Sequence, residues 1–478
     1  MKKLELIFIP APGIGHLVST LEFTVRLLDH DERLFITVLA IKAPFAAHLD
    51  SYANSILSSQ PRITLIDLPH VDPPPPELLK SVEHFITAYI ESHVPHVRGV
   101  VGEIVSSSSR SDSVAGVVLD FFCESMISVA KEFGLPSYIY LTSNAGFLGL
   151  MLELPNHHER SQREFLKSSD PELLLPGFVN PVPVSVLPGA LFDGEHGGYS
   201  AYIKLARGFR ECDGILVNTF AELEPSDFSS LLRVYNIGPV LNLKGFPHPA
   251  LDWIQWDDIW KWLDEQPSSS VVFLCFGSAG TFGEAQAREI AVALEQSGKS
   301  FLWSLRLSSD SEKGAKNNNP ADSETRMILP EGFLERTRGR GVVCGWAPQV
   351  EVLAHPAIGG FVSHCGWNSI VESLWHGVPT ATWPKYAEQQ LNAFRMVKEL
   401  GLAVELRLDY RDSAPEIVAA DEIERAVRCL MDGEKEVAKK VKAMKDLARK
   451  AVMEGGSSFA SIGRFIEDLS HDTLLDKD

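Results

Sequence analysis

Positive charge is scarce in this chain. Its 44 Lys and Arg stand against 63 Asp and Glu, a formal net charge of −19. Nucleic-acid binding needs clustered Lys and Arg, so no nucleic-acid partner is expected, and an anionic membrane surface is disfavoured as well. A phosphorylated small molecule stays open, because helix N-termini hold phosphate without a basic surface. Cysteine is sparse too. Cys123, Cys212, Cys275, Cys344, Cys365 and Cys429 form no C-x-x-C or C-x-x-H spacing and sit mostly in apolar runs. This indicates neither a disulfide framework nor a zinc site, and fits reduced thiols in a cytoplasmic protein. No uninterrupted apolar run reaches the ~20 residues that cross a bilayer, so no integral membrane segment is expected. The opening MKKLELIFIPAPGIGH resembles a signal peptide only superficially: Glu5, Pro10 and Pro12 break it, and a buried first strand explains it better. A dinucleotide fingerprint is also missing. Val18 stands where the third glycine after Gly13 and Gly15 would be, which sets aside a nicotinamide-dependent dehydrogenase.

What is present is an ordinary globular composition, 45% hydrophobic and 22% charged over 478 residues. That length suggests about two to three domains. Apolar runs alternate with amphipathic segments: LELIFIP, LFITVLAI, ITLIDLP, AGVVLDFF and PSYIYLT, with the helix-like HLVSTLEFTVRLLDH after the first. Such alternation signals parallel strands with crossover helices in an α/β fold. The near-continuous apolar strands suit a sheet covered on both faces.

The pattern restarts after residue 240. SVVFLCFGSAG, SFLWSLR, GVVCGWAP and GGFVSH read as new strands, and GEAQAREIAVALEQSG reads as a helix. Two doubly wound, Rossmann-like domains follow. The first spans 1–240 and is rejoined by a closing helix at about 457–478. A linker rich in Pro, Gly and Asn spans 241–252, and the second domain spans 253–456. Ser308–Thr325 is polar and reads as a disordered loop. The prolines from Pro73 to Pro76 read as a connector that is neither helix nor central strand.

Candidate chemistry gathers at strand ends, where open α/β sheets bind ligands. His16 follows the Gly13–Gly15 turn at the start of a helix and can be a general base. Asp120 ends AGVVLDFF; beside a histidine it would set the tautomer and stabilise the imidazolium, and alone it reads as a helix cap. Gly277, Ser278 and Gly280 make a turn able to offer N–H groups to phosphate. In HCGWNSIVESLWHGVP, a strand, a tight turn and a helix N-terminus meet. Ile370, Val371, Leu374 and Trp375 fall on one helical face, and Gly377 and Pro379 are stop signals.

The run from Trp346 to Gln389, with WAPQ, HCGWNS, GVP, WP and EQ in order, resembles the carboxy-terminal box of plant family-one UDP-dependent glycosyltransferases. PAPGIGH, NTFAELE from Asn218, WLDEQPSSSVVFLCFGS from Trp262 and EGGSS from Glu454 extend the resemblance over the whole chain. It implies a GT-B fold with two domains facing across a cleft, the nucleotide sugar in the second and the acceptor in the first. It also implies roles. Trp346 would stack on the uracil, with Gln349 and the Ala347 backbone on its edge, and Glu372 would accept from the ribose hydroxyls. His364, Gly366, Asn368 and Ser369 would hold the diphosphate, with Ser278 opposite. Trp367, Glu388 and Gln389 would contact the sugar, joined by Thr142. His16 would be the base and Asp120 its partner. Gly15, Phe121, Phe122, Phe147, Met151 and Phe192 are candidate acceptor walls.

The expected reaction is inverting transfer of glucose to a hydroxyl of a small lipophilic flavonoid, other phenolic or terpenoid, with neither cofactor nor metal. In the family, glutamine at position 389 goes with glucose, and tryptophan rather than arginine at 367 disfavours glucuronic acid. Galactose, xylose or rhamnose as the sugar, a nucleotide-sugar epimerase or hydrolase, and a nonenzymatic binding protein are the alternatives. No interface signal is evident, so a monomer is expected.

Overall fold

The computed structural model describes residues 3–42, 50–107, 112–161, 171–225, 228, 232–244, 251, 253–307, 328–413, 416–433 and 435–475. The stretch Ser308–Thr325 and residues 245–250 of the expected linker lie outside them. Among the described residues the strands are β1 (Lys3–Ile9), β2 (Leu34–Ala40), β3 (Ile63–Asp67), β4 (Asp112–Asp120), β5 (Ser137–Leu141), β6 (Glu172–Leu173), β7 (Val182–Pro183), β8 (Gly214–Val217), β9 (Val234–Asn236), β10 (Val271–Cys275), β11 (Ser300–Ser304), β12 (Gly341–Cys344), β13 (Ile358–Ser363), β14 (Thr380–Thr382) and β15 (Ala403–Glu405). The apolar runs correspond to β1 to β5 and β10 to β13. The other six strands have four residues at most, too short for a periodicity to register.

Seven strands form a sheet in the order β3-β2-β1-β4-β5-β8-β9, and six form another in the order β12-β11-β10-β13-β14-β15. Every pairing in both is parallel. β6 and β7 make a separate antiparallel pair. β5 and β10 are buried along their whole length, as expected for strands covered on both faces. In each sheet the chain first winds toward one edge and then crosses back, so order reverses between β1 and β4 and between β10 and β13. Loops leaving the carboxyl ends at such a reversal frame a ligand crevice.

The chain divides into two compact units. One comprises 1–184, 189–242 and 448–478, the other 185–188 and 243–447. Residues 448–456 therefore group with the first unit rather than the second. Ser185–Pro188 groups with the second, where Arg411 Nη2 donates to the carbonyls of Ser185 (2.5 Å) and Leu187 (2.6 Å). In the first unit, the closing helix Ser457–Leu475 is anchored by Tyr235, whose hydroxyl donates to Asp468 at 2.5 Å, and by Phe465, edge-on to Tyr138. In the second, fully buried Trp303 and Trp383 centre one core. Helix Glu284–Ser297 is tied there by Gln286, which exchanges two hydrogen bonds with the Val418 backbone. Pro76 corrects one expectation: it opens a 3-10 helix, Pro76–Lys80, because its fixed φ suits a first helical position. No helix of the described residues is long and apolar enough to cross a membrane.

Candidate functional site

In the first unit, β1 and β4 lie side by side with Ile9 opposite Leu119. The turn after β1 therefore stands beside the end of β4. Gly13 is extended and caps the helix Ile14–His30, which puts Gly15 and His16 in its first turn. His16 Nδ1 lies 2.7 Å from Asp120 Oδ2. A carboxylate oxygen accepts, so Nδ1 carries the proton and Nε2 keeps its lone pair. The imidazole is 29% exposed and the Asp120 side chain is fully enclosed. Asp120 Oδ1 accepts the Phe122 N–H at 3.0 Å and so caps the 3-10 helix Phe121–Met126. The cap reading and the histidine-partner reading of Asp120 hold together, one per oxygen.

Aromatic rings surround this pair. Phe122 and Phe121 have ring centroids 5.7 Å and 6.0 Å from the imidazole, and 4.2 Å from each other. Phe147 stands edge-on to Phe121 at 5.8 Å. Phe122 and Phe192 keep exposed surface. Met151 has none and Phe147 keeps 1%. These two pack in the core of the first unit, behind Phe121. One turn apart on the helix Ala145–Ser161, they share its packed face.

Thr142, partly exposed, follows β5. The helix after it is capped twice: Asn144 Oδ1 accepts the Phe147 N–H at 2.8 Å, and the buried Glu224 carboxylate accepts the Ala145 N–H at 2.9 Å. Negative charge is favourable at a helix N-terminus. Glu224 lies in NTFAELE and so fixes the segment beside Thr142, a role the sequence did not reveal.

In the second unit, β13 ends at Ser363, and helix Trp367–His376 begins after three intervening residues. Its cap, Gly366, offers no side chain, so the first-turn N–H groups remain for a ligand. Ile370, Val371 and Leu374 are buried, Trp375 partly, and Gly377 ends the helix in the left-handed region at φ 76°. Cys365 also has positive φ, 63°, costly outside glycine. Ser363 Oγ holds its N–H at 3.1 Å and Asn392 Nδ2 holds its carbonyl at 3.0 Å.

His364 is wedged between two glycines. A Cβ on Gly277 or on Gly366 would stand 2.5 Å from its Nε2. The turns after β10 and after β13 thus meet at this ring. Burial, then the charges of Lys385 and Arg306, push the His364 pKa down to about 3, so the ring is neutral in ordinary conditions. Its Nδ1 is buried with no protein partner, as is Asn368 Oδ1. Buried polar atoms left without a protein partner are uncommon, which marks this turn as a place for a polar ligand.

Gln349 Nε2 donates to Ser369 Oγ at 2.8 Å and to Glu372 Oε2 at 2.6 Å, so three expected nucleotide-binding residues form one network. Burial raises the Glu372 carboxyl to about 7 against the opposing Gln349 bond, with Glu351 adding to the rise. Ala347 is buried and Trp346 partly exposed. Ser278 is exposed; its carbonyl, not its hydroxyl, is held, by Arg306 Nη1 at 2.5 Å. Trp367 is enclosed at 3% exposure. Gln389 Oε1 accepts the N–H groups of Lys385 (2.9 Å) and Tyr386 (3.1 Å), so the amide oxygen is committed to the backbone of that turn. Glu388 is partly exposed beside it.

Three polar residues here carried no sequence signal. Arg306, just past β11, reaches back to the glycine turn. Lys385 is buried, pairs with Asp412 at 2.9 Å and lies 3.7 Å from the Phe282 ring centroid. Desolvation pulls its pKa down, against the pull of Asp412. Among the described residues no group of three or more His, Cys, Asp and Glu could hold a metal ion.

Residues 252–446 match the family model described as UDP-glucoronosyl and UDP-glucosyl transferase. The chain is 57% identical to UDP-glycosyltransferase 71K1 of Malus domestica, over 98% of this chain and 99% of that one. It is 52% identical to the flavonol 3-O-glucosyltransferase UGT71C4 of Arabidopsis thaliana, over 99% of each. Among solved structures it is similar to UGT71G1 of Medicago truncatula complexed with UDP-glucose, with a TM-score of 0.89, 52% identity and 98% of each chain covered.

Proposed function

This chain belongs to the plant UDP-glycosyltransferases, enzymes of the GT-B fold class, and we propose that it transfers glucose from UDP-glucose to a hydroxyl of a small lipophilic acceptor, a flavonoid or related phenolic. The observation that carries this reading is the 2.7 Å contact of His16 with Asp120, which orients the imidazole among aromatic rings. Apolar, aromatic surroundings suit a planar phenol. The Medicago relative is described with UDP-glucose, and the Arabidopsis relative is named for a flavonol acceptor.

In the proposed mechanism His16 Nε2 takes the acceptor proton as the oxygen attacks the anomeric carbon. The charge that develops on the imidazole is offset by Asp120, which also prevents the ring from turning. Direct displacement on an α-linked donor inverts the centre and yields a β-glucoside and UDP. Departure of UDP builds negative charge. Backbone N–H groups at the helix Trp367–His376 and the neutral His364 meet that charge, without a metal in this reading. General-base help contributes about 10²–10⁴ in rate, and positioning with leaving-group stabilisation contributes the remainder.

The test is UDP release by purified protein with UDP-glucose, with and without a panel of phenols, alongside His16→Ala. Phenol-dependent release that collapses in the variant supports the proposal. Release without acceptor, or release indifferent to the variant, overturns the mechanism in favour of a hydrolase or epimerase. Competition among UDP-glucose, UDP-galactose, UDP-xylose and UDP-rhamnose decides the sugar.

A further inference from the structure

Four carbonyl oxygens of the turn after β10 point at two cations. Arg306 Nη1 donates to Ser278 O at 2.5 Å, and Nη2 donates to Gly277 O and, at 2.9 Å, to Gly280 O. Lys385 Nζ, enclosed at 1% exposure, donates to Thr281 O at 2.8 Å. In a trans peptide the carbonyl and the following N–H point opposite ways. Fixing the carbonyls of residues 277, 278 and 280 on the cation side turns the N–H groups of Ser278, Ala279 and Thr281 to the other. Ser278 and Ala279 are exposed there, and His364 Nε2 lies against Gly277. Outward N–H groups in a tight turn make an anion-binding concavity. The guanidinium carbon of Arg306 also lies 5.6 Å from the Trp346 ring centroid, within range of a cation–π contact.

We propose that Arg306 is a positioning residue for the donor nucleotide: it faces the N–H groups of the Ser278–Thr281 turn toward the diphosphate and braces the Trp346 ring for the base. This rests on the UDP-sugar reading above. Arg306 itself does not touch the donor. Three carbonyls and one ring require the planar fork, so lysine, a single point of charge, does not substitute. Lys385 holds the far end of the same turn and acts as the second clamp.

The experiment is calorimetric UDP binding by wild type, Arg306→Met, Arg306→Lys and Ala279→Pro. Ala279→Pro deletes one outward N–H and leaves Arg306 in place. Arg306→Met is expected to weaken UDP about tenfold, the order of a lost charged hydrogen bond. Arg306→Lys should restore little. KM for UDP-glucose should rise in parallel while KM for the acceptor stays within about twofold, a split that general loosening of the fold would not produce. UDP affinity at the wild-type level in Arg306→Met overturns the inference. If that variant does not fold, Ala279→Pro decides in the same way. Wild-type protein that binds no UDP at all refutes the UDP-sugar reading instead, so the two failures are distinguishable.

Discussion

Gly277 packs against His364 so closely that a single added methyl group would stand 2.5 Å from the imidazole Nε2. Gly277 also has φ 72°, where alanine is strained by ~1–2 kcal/mol. Gly366 presses on the same nitrogen with ordinary φ, −60°. Gly366→Ala therefore isolates the steric effect. It should raise KM for UDP-glucose several-fold with a modest drop in melting temperature. Gly277→Ala should do both more strongly. Equal KM values in Gly366→Ala and wild type would show that His364 does not need its present seat.

His16 and Asp120 should separate in stability though not in activity. His16→Ala should lower kcat by about 10²–10⁴, with little thermal effect because the ring is partly exposed and alanine suits a helix. Asp120→Ala should lose activity and, through the lost cap on Phe122, also ~0.5–2 kcal/mol of stability. Paired kinetics and melting curves check this. An Asp120→Ala protein as stable as wild type would show that the cap contributes nothing.

Glu372 gives a pH dependence with a definite sign. Its folded pKa, about 7, exceeds the ordinary 4.5, so the folded chain holds this proton more tightly than the unfolded one. The contribution is complete below the ordinary value and is lost as pH rises through 7. Without nucleotide, the melting temperature should fall between pH 5 and 8, and Glu372→Gln should flatten that slope. The same variant should bind UDP more weakly, having lost a carboxylate for the ribose hydroxyls. Parallel slopes for the two proteins would contradict the assignment.

The Lys385–Asp412 pair predicts an asymmetry. Removing Asp412 strands a cation that is 1% exposed, and breaking a buried pair in this way costs ~3–5 kcal/mol. Lys385→Met leaves a carboxylate that is 40% exposed and can hydrate. Asp412→Ala should therefore melt lower than Lys385→Met, and the double variant should sit nearer to Lys385→Met. The reverse order in thermal denaturation would mean that Lys385 finds water.

Long apolar strands such as Lys3–Ile9 and Val271–Cys275 were legible in the sequence because buried parallel strands concentrate Val, Ile, Leu and Phe. Strands such as Thr380–Thr382, with a proline on one side and a tryptophan on the other, were not, because three residues carry no period. His16 and Asp120 each carried a local signal, a glycine turn and a strand end. Their meeting depends on β1 and β4 being neighbours, which sequence separation conceals. Arg306 had no local mark: an arginine after a strand reads as solvated, and its carbonyl partners lie 26 to 29 residues away. Met151, expected as an acceptor wall, is buried in the core. Helical spacing cannot tell a wall that meets solvent from one that meets the next helix.

Thiol chemistry offers a practical handle. Cys123, Cys212, Cys275, Cys344 and Cys365 are buried, and desolvation raises each thiol pKa, which suppresses the thiolate that alkylating reagents need. Only Cys429 keeps partial exposure. Replacing that one residue should leave the folded enzyme nearly silent to maleimides. A reporter dye could then be attached at one engineered surface cysteine, with the five interior sulfurs left in place.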